Sequence, residues 1–116
     1  MSPAESSLLP VGLYDQLPPR AEAEAMAGTR LLESFIQCGY AAVSPPLLEF
    51  EDTILSGRGA DLAPYTFRVM DPMSSRMLGL RADMTMQIAR IATARMGEEP
   101  RPLRLSYIGQ TLRIRG

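Results

Sequence analysis

Histidine is absent from this sequence of 116 residues, and cysteine occurs once, as Cys38. The absence of histidine excludes zinc-finger and zincin ligand sets and histidine general-base catalysis. A single cysteine cannot form an internal disulfide, which fits a reducing compartment. Because a reactive thiol needs a charged partner and Cys38 lies beside an apolar stripe, we expect it to be a small buried hydrophobic residue.

The sequence also lacks a strong net charge and a long apolar run. Its formal net charge is −1, which predicts no overall electrostatic attraction to nucleic acid. No stretch approaches the length of a membrane span, and the N-terminus has neither the basic nor the apolar region of a signal peptide. Hydrophobic residues make up 46% of the chain, enough for the core of one domain. We therefore expect a cytoplasmic protein with no membrane partner.

Motifs for phosphate loops and dinucleotide binding are missing, because the glycines at Gly57 and Gly59 are too few for either. Glu49, Glu51 and Asp52 do not have the spacing of a catalytic carboxylate pair, and we interpret them as the solvated start of a helix. We expect no cofactor, no metal ion and no catalytic residue in this chain.

The patterns that are present alternate between helix and strand. Apolar residues at helical spacing predict a long helix that Gly39 closes in the left-handed conformation. Prolines 45 and 46 interrupt a strand, which should therefore lie at an edge or an interface. The predicted elements are an arm at 1–9, then, within one domain at 10–116, a helix at 19–38, a strand at 40–50, a helical turn at 51–55, a loop at 57–59, a β-hairpin of strands 66–70 and 76–80, a helix at 84–96 and a strand at 103–114. This order predicts an α+β fold with a mainly antiparallel sheet flanked by helices.

Three residues in two segments have the chemistry of a binding site. Asp83 and Thr85 lie where a strand gives way to a helix, and helix N-termini with their preceding loops anchor polar ligands. Asp83 can also be explained as the N-cap of that helix, and the local chemistry favours the cap. Arg113 shares a strand face with Gly109, which leaves space above the sheet, and its planar fork suits carboxylate or phosphate. A solvent-exposed arginine would explain Arg113 equally well.

The order of these segments resembles the class II aminoacyl-tRNA synthetase core of the histidyl type. A helix, Gly39-Tyr40 and a strand with a central proline are similar to motif 1, the dimerisation element. The resemblance therefore implies a dimer interface that includes Pro45, Pro46 and Leu47.

Two further segments carry the same resemblance. Residues 80–85 are similar to the histidine-binding segment, which implies that Asp83 and Thr85 hold the α-amino group of the amino acid. Residues 107–113 look like the first strand of motif 2, whose arginine binds the α-phosphate and carboxylate of the activated amino acid. That residue would be Arg113.

Within this superfamily, the regulatory subunit of ATP phosphoribosyltransferase is the closer resemblance. Synthetases carry an acid two positions after the motif 2 arginine, where this chain has Arg115, and the stretches 71–85 and 87–91 are also similar to the regulatory subunit. The resemblance implies a non-catalytic, allosteric subunit that binds histidine without activating it and controls the first step of histidine biosynthesis. Its partners would be the short-form catalytic subunit and a second copy of itself, as a homodimer within a hetero-oligomer, and no tRNA is expected.

In this family the domain continues beyond the motifs found here. The second strand of motif 2 and all of motif 3 are absent from this sequence. We therefore expect a partial domain with at most half of a site. The alternatives are a fragment of a histidine–tRNA ligase, or an α+β domain that shares only its architecture with the family.

Overall fold

The computed structural model describes residues 9–114, so nearly all of the expected arm at 1–9 and the residue Arg115 lie outside the described part. The elements in chain order are α1 (Arg20–Gln37), β1 (Ala41–Ala42), β2 (Leu48–Phe50), α2 (Glu51–Ile54), a 3₁₀ helix (Gly57–Tyr65), β3 (Arg68–Met70), β4 (Met77–Leu80), α3 (Thr85–Arg90), a π-helical turn (Ile91–Arg95) and β5 (Leu105–Ser106). The predicted α+β class is confirmed.

Helix α1 ends as the sequence predicts, at a glycine in the left-handed region. Gly39 has a φ of +91°, and its N–H donates to the carbonyl of Ile36 at 3.0 Å. The N–H of Tyr40 donates to the carbonyl of Phe35 at 3.0 Å, and the two rings pack with centroids 5.8 Å apart. These bonds and the apolar contact make up a Schellman motif, which fixes the direction in which the chain leaves the helix.

The apolar face of α1 stays largely exposed, since the helix contains no buried residue. The helix approaches the chain after β5 at Gly28, where an added Cβ would lie only 2.8 Å from Cδ1 of Ile108. Cys38 is exposed, so the expectation of a buried thiol is wrong. Cys38 is the C-cap residue, where the chain already turns away from the helix.

The expected strand at 40–50 is two short strands in two different sheets. β1 pairs in parallel with β5, whereas β2 is the edge strand of an antiparallel sheet with the order β2-β4-β3. Residues 44–47, here called the proline turn, lie between them outside any strand. Because two successive prolines supply no N–H, no ladder can continue through them, and the chain passes from one sheet to the other.

The predicted β-hairpin is confirmed, with β3 and β4 antiparallel. In its turn, Asp71 accepts hydrogen bonds from the hydroxyl of Ser74 at 2.6 Å and the N–H of Met73 at 3.1 Å. Both bonds lower the pKa of this carboxyl, the one from Ser74 most strongly. The turn residues therefore have the local role that their sequence indicates.

Three predicted elements differ from the structure. Glycines 57 and 59 belong to a 3₁₀ helix rather than a loop. The helix predicted at 84–96 is α-helical only to Arg90 and ends in a π-helical turn. The expected strand at 103–114 forms a ladder only at Leu105–Ser106. Its partner β1 ends near the proline turn, so the residues that follow find no continuing partner there and bond instead to the carbonyls of Arg81 and Tyr65.

The buried apolar core of the described residues is small and consists of Ile54, Ala82 and Met84. The side chain of Gln87 is the most completely buried large group, at 1% exposure. Two of the apolar residues flank Asp83, so the core directly supports the segment that carries the candidate site. Between residues 9 and 114, no helix combines the length and apolarity needed to cross a bilayer.

Candidate functional site

Asp83, Thr85 and Arg113, called here the Asp83 cluster, lie together in the structure. Asp83 Oδ1 accepts hydrogen bonds from both the N–H and the hydroxyl of Thr85, each at 2.7 Å. Arg113 comes from the chain after β5, and its Nη2 lies 3.6 Å from Asp83 Oδ2. Its Nε donates to the carbonyl of Ala82 at 2.9 Å. The fold thus gathers all three residues that the sequence singled out for ligand binding.

The carboxyl of Asp83 has a pKa below its ordinary value. The hydroxyl of Thr85 is the largest cause, followed by the N–H of Thr85, and the positive charge of Arg113 adds to them. Partial burial acts in the opposite direction but is outweighed. Asp83 is therefore an anion at neutral pH, beside a permanent cation.

The two oxygens of Asp83 have different surroundings, and this bears on its two possible roles. The N-cap residue of α3 is Met84, so Asp83 lies one position earlier than predicted for a cap, yet its Oδ1 accepts the first N–H of the helix, as a cap does. Oδ2 faces Arg113 at 3.6 Å, which is beyond the normal length of a hydrogen bond. The cap role thus occupies one oxygen and leaves the other oxygen for a cation.

Arg81 is a site residue that the sequence reasoning missed. An added Cβ at Gly109 would lie 2.6 Å from Arg81 Nη2 and 3.1 Å from Met84 Sδ. The expectation that Gly109 leaves space for a ligand is therefore wrong, because the guanidinium of Arg81 fills that space. No local signal in the sequence marked Arg81, because Gly109 is remote from it in the sequence.

The three residues expected at a dimer interface differ in exposure. Pro45 is buried, whereas Pro46 is exposed and Leu47 is 51% exposed. Their carbonyls are all bonded to residues 81–87: Pro45 to Arg81 Nη1 at 3.2 Å, Pro46 to Gln87 Nε2 at 2.7 Å, and Leu47 to the N–H of Arg81 at 3.2 Å. The proline turn also borders an open groove of about 760 Å³ that extends to Arg90 and Arg95.

Glu49 also departs from expectation, because it is not part of a solvated helix start. It lies on β2 with its side chain 9% exposed, and its Oε1 is 2.7 Å from Nε of Arg90. Its Oε2 accepts from Nη2 of the same residue at 3.3 Å. Glu51 and Asp52 do begin α2. Across residues 9–114, no group of three acidic or cysteine side chains could hold a metal ion.

The fold is that of a domain of the class II synthetase type. A family model described as histidyl-tRNA synthetase matches residues 12–116. The chain belongs to this family.

Within the family, the curated relatives are more specific. The chain is 58% identical over 113 residues to a protein of Paramagnetospirillum magneticum named ATP phosphoribosyltransferase regulatory subunit, covering 97% of this chain and 30% of the relative. A Rhodospirillum centenum protein of the same name is 58% identical over 95% of this chain and 28% of its own length. The chain thus spans less than a third of the length of these curated relatives. The similarity to this regulatory subunit covers most of the present chain.

A solved structure from Bacillus halodurans has the same fold. It is described as an ATP phosphoribosyltransferase regulatory subunit/histidyl-tRNA synthetase and superposes with a TM-score of 0.76 at 30% identity. The match covers 90% of this chain and 27% of the other.

Proposed function

We propose that this chain belongs to a regulatory subunit of ATP phosphoribosyltransferase that binds histidine and does not activate it. The observation that carries the proposal is the Asp83 cluster, an anionic oxygen beside a guanidinium at the start of a helix. In this proposal the protein is cytoplasmic, controls the first step of histidine biosynthesis allosterically, and assembles as a homodimer with the short-form catalytic subunit.

The cluster has the charges that a free amino acid needs. An α-amino acid carries its ammonium and its carboxylate on one carbon atom, so its binding site must offer an anion and a cation side by side. Asp83 Oδ2 would accept from the ammonium, with the hydroxyl of Thr85 as a second acceptor, in charge-assisted hydrogen bonds. Arg113, whose side chain is 52% exposed, would turn its planar fork to the carboxylate.

The names of the curated relatives support the regulatory role over the alternative. That alternative, a histidine–tRNA ligase, is favoured by the family description and by the second half of the Bacillus halodurans title. Against it stands Arg115, a cation where the synthetase pattern carries the acid that helps position ATP.

The test of the regulatory role is a reconstitution with the complete protein that contains this chain. The short-form catalytic subunit of the same organism is assayed for phosphoribosyl transfer with and without it, across a histidine titration. We expect the rate or the histidine inhibition to depend on the added protein. The same rate and the same inhibition in both cases would contradict the proposal.

Amino-acid activation separates the two candidates directly. Histidine-dependent exchange of pyrophosphate into ATP is measured for the complete protein, alone and with tRNA. We expect no exchange above the blank, because Arg115 disfavours the ATP geometry of adenylation. Turnover above the blank would establish the ligase instead.

A further inference from the structure

We infer that Arg81 is a positioning residue that fixes residues 109–113 against the proline turn and thereby sets the place of Arg113. This inference rests on the proposed function, since the ligand concerned is histidine. Arg81 would not touch the ligand itself. It lies between two segments that are remote in sequence, the turn at 44–47 and the chain at 109–113.

Arg81 makes two bonds to each of these segments. Towards the proline turn, its N–H donates to the carbonyl of Leu47 at 3.2 Å and its Nη1 to that of Pro45 at 3.2 Å. Towards the other segment, its carbonyl accepts from the N–H of Leu112 at 3.1 Å and its Nε donates to the carbonyl of Gln110 at 2.7 Å. One residue thus holds two chain segments with two backbone and two side-chain bonds.

The side chain supplies what a regular ladder would have supplied from the backbone. In a sheet, the carbonyl and N–H of one residue bond to flanking residues of its neighbour. The N–H of Arg81 is already used by Leu47, so its Nε takes over the bond to Gln110. The guanidinium also reaches Pro45, whose own ring nitrogen has no hydrogen to donate.

Gly109 leaves room for the guanidinium of Arg81, because it has no side chain. Its missing Cβ is the volume that Arg81 Nη2 occupies, since the two would be 2.6 Å apart. A lysine in place of Arg81 would keep the charge but has no planar fork with which to reach two carbonyls on opposite sides. The site therefore requires a guanidinium at 81 and the absence of a side chain at 109.

These four bonds of Arg81, called here the staple, affect the Asp83 cluster from both sides. Arg113 directly follows Leu112, whose N–H is bound by Arg81, and its Nε is bound to the carbonyl of Ala82, the residue after Arg81. Loosening Arg81 would let residues 109–113 move relative to Asp83, and the 3.6 Å spacing of the two charges would no longer be held.

The experiment measures histidine affinity by titration calorimetry on the complete protein. The variants are Arg81→Lys, Arg113→Lys and their double mutant. The control is Arg76→Lys, an arginine just before β4 whose guanidinium donates to Asp52 and lies over the ring of Phe50. We expect Arg81→Lys to weaken histidine binding about tenfold, the scale of one lost charge-assisted hydrogen bond, while Arg76→Lys leaves the affinity unchanged.

The double mutant distinguishes positioning from a general structural role. If Arg81 acts through Arg113, then Arg81→Lys should cost little further affinity once Arg113 is already lysine. Equal losses in both backgrounds, or no loss in either, would overturn the inference while the proposed function stands. Should Arg81→Lys fail to fold, Gly109→Ala displaces the guanidinium with Arg81 in place and is expected to give the same coupled loss.

If the complete protein bound no histidine, the proposed function would be wrong, but the role of the staple would still be open to test. Hydrogen exchange of peptides covering 44–50 and 107–114 decides it without ligand. Faster exchange at both segments in Arg81→Lys than in Arg76→Lys upholds the staple. Equal exchange in the two variants overturns it.

Discussion

At the scale of single residues, Asp83 shows that a cap and a ligand site need not compete. Its Oδ1 is bonded to Thr85, which meets the needs of the helix start. Its Oδ2 lies 3.6 Å from Nη2 of the Arg113 guanidinium. A substitution that preserves the first oxygen and removes the charge therefore separates the two roles.

Asp83→Asn is that substitution. Asparagine caps a helix about as well as aspartate, so the thermal melt at neutral pH should stay nearly unchanged. Loss of the charge should weaken histidine binding by roughly 1.5–3 kcal/mol, the range for hydrogen bonds to charged groups. Titration calorimetry of the complete protein measures the effect.

The matched control for this change is Asp71→Asn. Asp71 also bonds a nearby hydroxyl and N–H through its carboxyl, but it lies in the hairpin turn, away from the cluster. We expect it to leave histidine affinity unchanged. If Asp83→Asn and Asp71→Asn bind histidine equally well, Asp83 is a cap only.

The lowered pKa of Asp83 gives a second expectation at this scale. A depressed folded-state pKa means that the ionised form stabilises the fold above the unfolded-state value, and that this contribution is lost as the pH falls through the folded-state value. Melts of the wild type and of Asp83→Asn should therefore coincide at neutral pH and separate below about pH 4, the ordinary range of an aspartate. The asparagine variant should be the more stable one in acid. Parallel curves down to the acid limit would contradict this.

At the scale of elements, the proline turn depends on side chains for its order. Its prolines cannot donate to a ladder, and their carbonyls accept instead from Arg81 and Gln87. Gln87 is buried to 1% exposure, and its Oε1 accepts no hydrogen bond among the described residues. Hydrogen bonds from the segment that begins at Arg81 and ends on helix α3 thus stabilise the turn.

Substitutions at Gln87 test this support. Gln87→Glu removes the donor to Pro46 and buries a carboxyl, so we expect a loss of stability of about 1–3 kcal/mol or more. Gln87→Met also removes the donor, but it removes the unpaired Oε1 as well and should cost less. Thermal or urea unfolding gives the order, with Gln16→Glu at an exposed position as the control. Equal stability of the glutamate and methionine variants would contradict the account.

Elements with local signals were predictable from the sequence. Gly39 ended the first helix and Asp71 began the hairpin turn, because each acts on backbone groups within a few residues. The change of sheet at the proline turn and the place of Arg81 were not predictable, since both depend on partners remote in sequence. The prediction of a strand at 103–114 was too long for the same reason. Alternating residues indicate an extended chain, but they do not indicate whether a neighbouring strand exists to pair with it.

At the scale of the whole molecule, apolar composition and apolar burial do not match. Hydrophobic residues are 46% of the chain, yet Ile54, Ala82 and Met84 are the buried ones within residues 9–114. Large apolar side chains such as Leu47 and Val69 are about half exposed. Extended apolar surface of this kind marks an interaction site in proteins, so we expect the chain to associate with further protein surface.

Self-association through residues 39–50 is the form of association that the sequence predicts. A symmetric pair would cover the edge strand β2 and the exposed side chains of Pro46 and Leu47. Because each copy would contribute one Leu47, Leu47→Glu should weaken the dimer by roughly a hundredfold, on the scale of about 1.5 kcal/mol per buried leucine. Sedimentation velocity at micromolar concentration measures the dissociation constant.

Val69→Glu is the matched control for this change. Val69 is 49% exposed and Leu47 51%, and both are at or beside edge strands of the same sheet, but Val69 lies on β3, on the other side of β4. An acid should be tolerated equally well by the fold at either position, so only the interface distinguishes them. We expect Val69→Glu to leave the dimer intact. If the wild-type chain sediments as a monomer while its melt is native-like, or if both variants dissociate it equally, the proline turn is not the contact between copies.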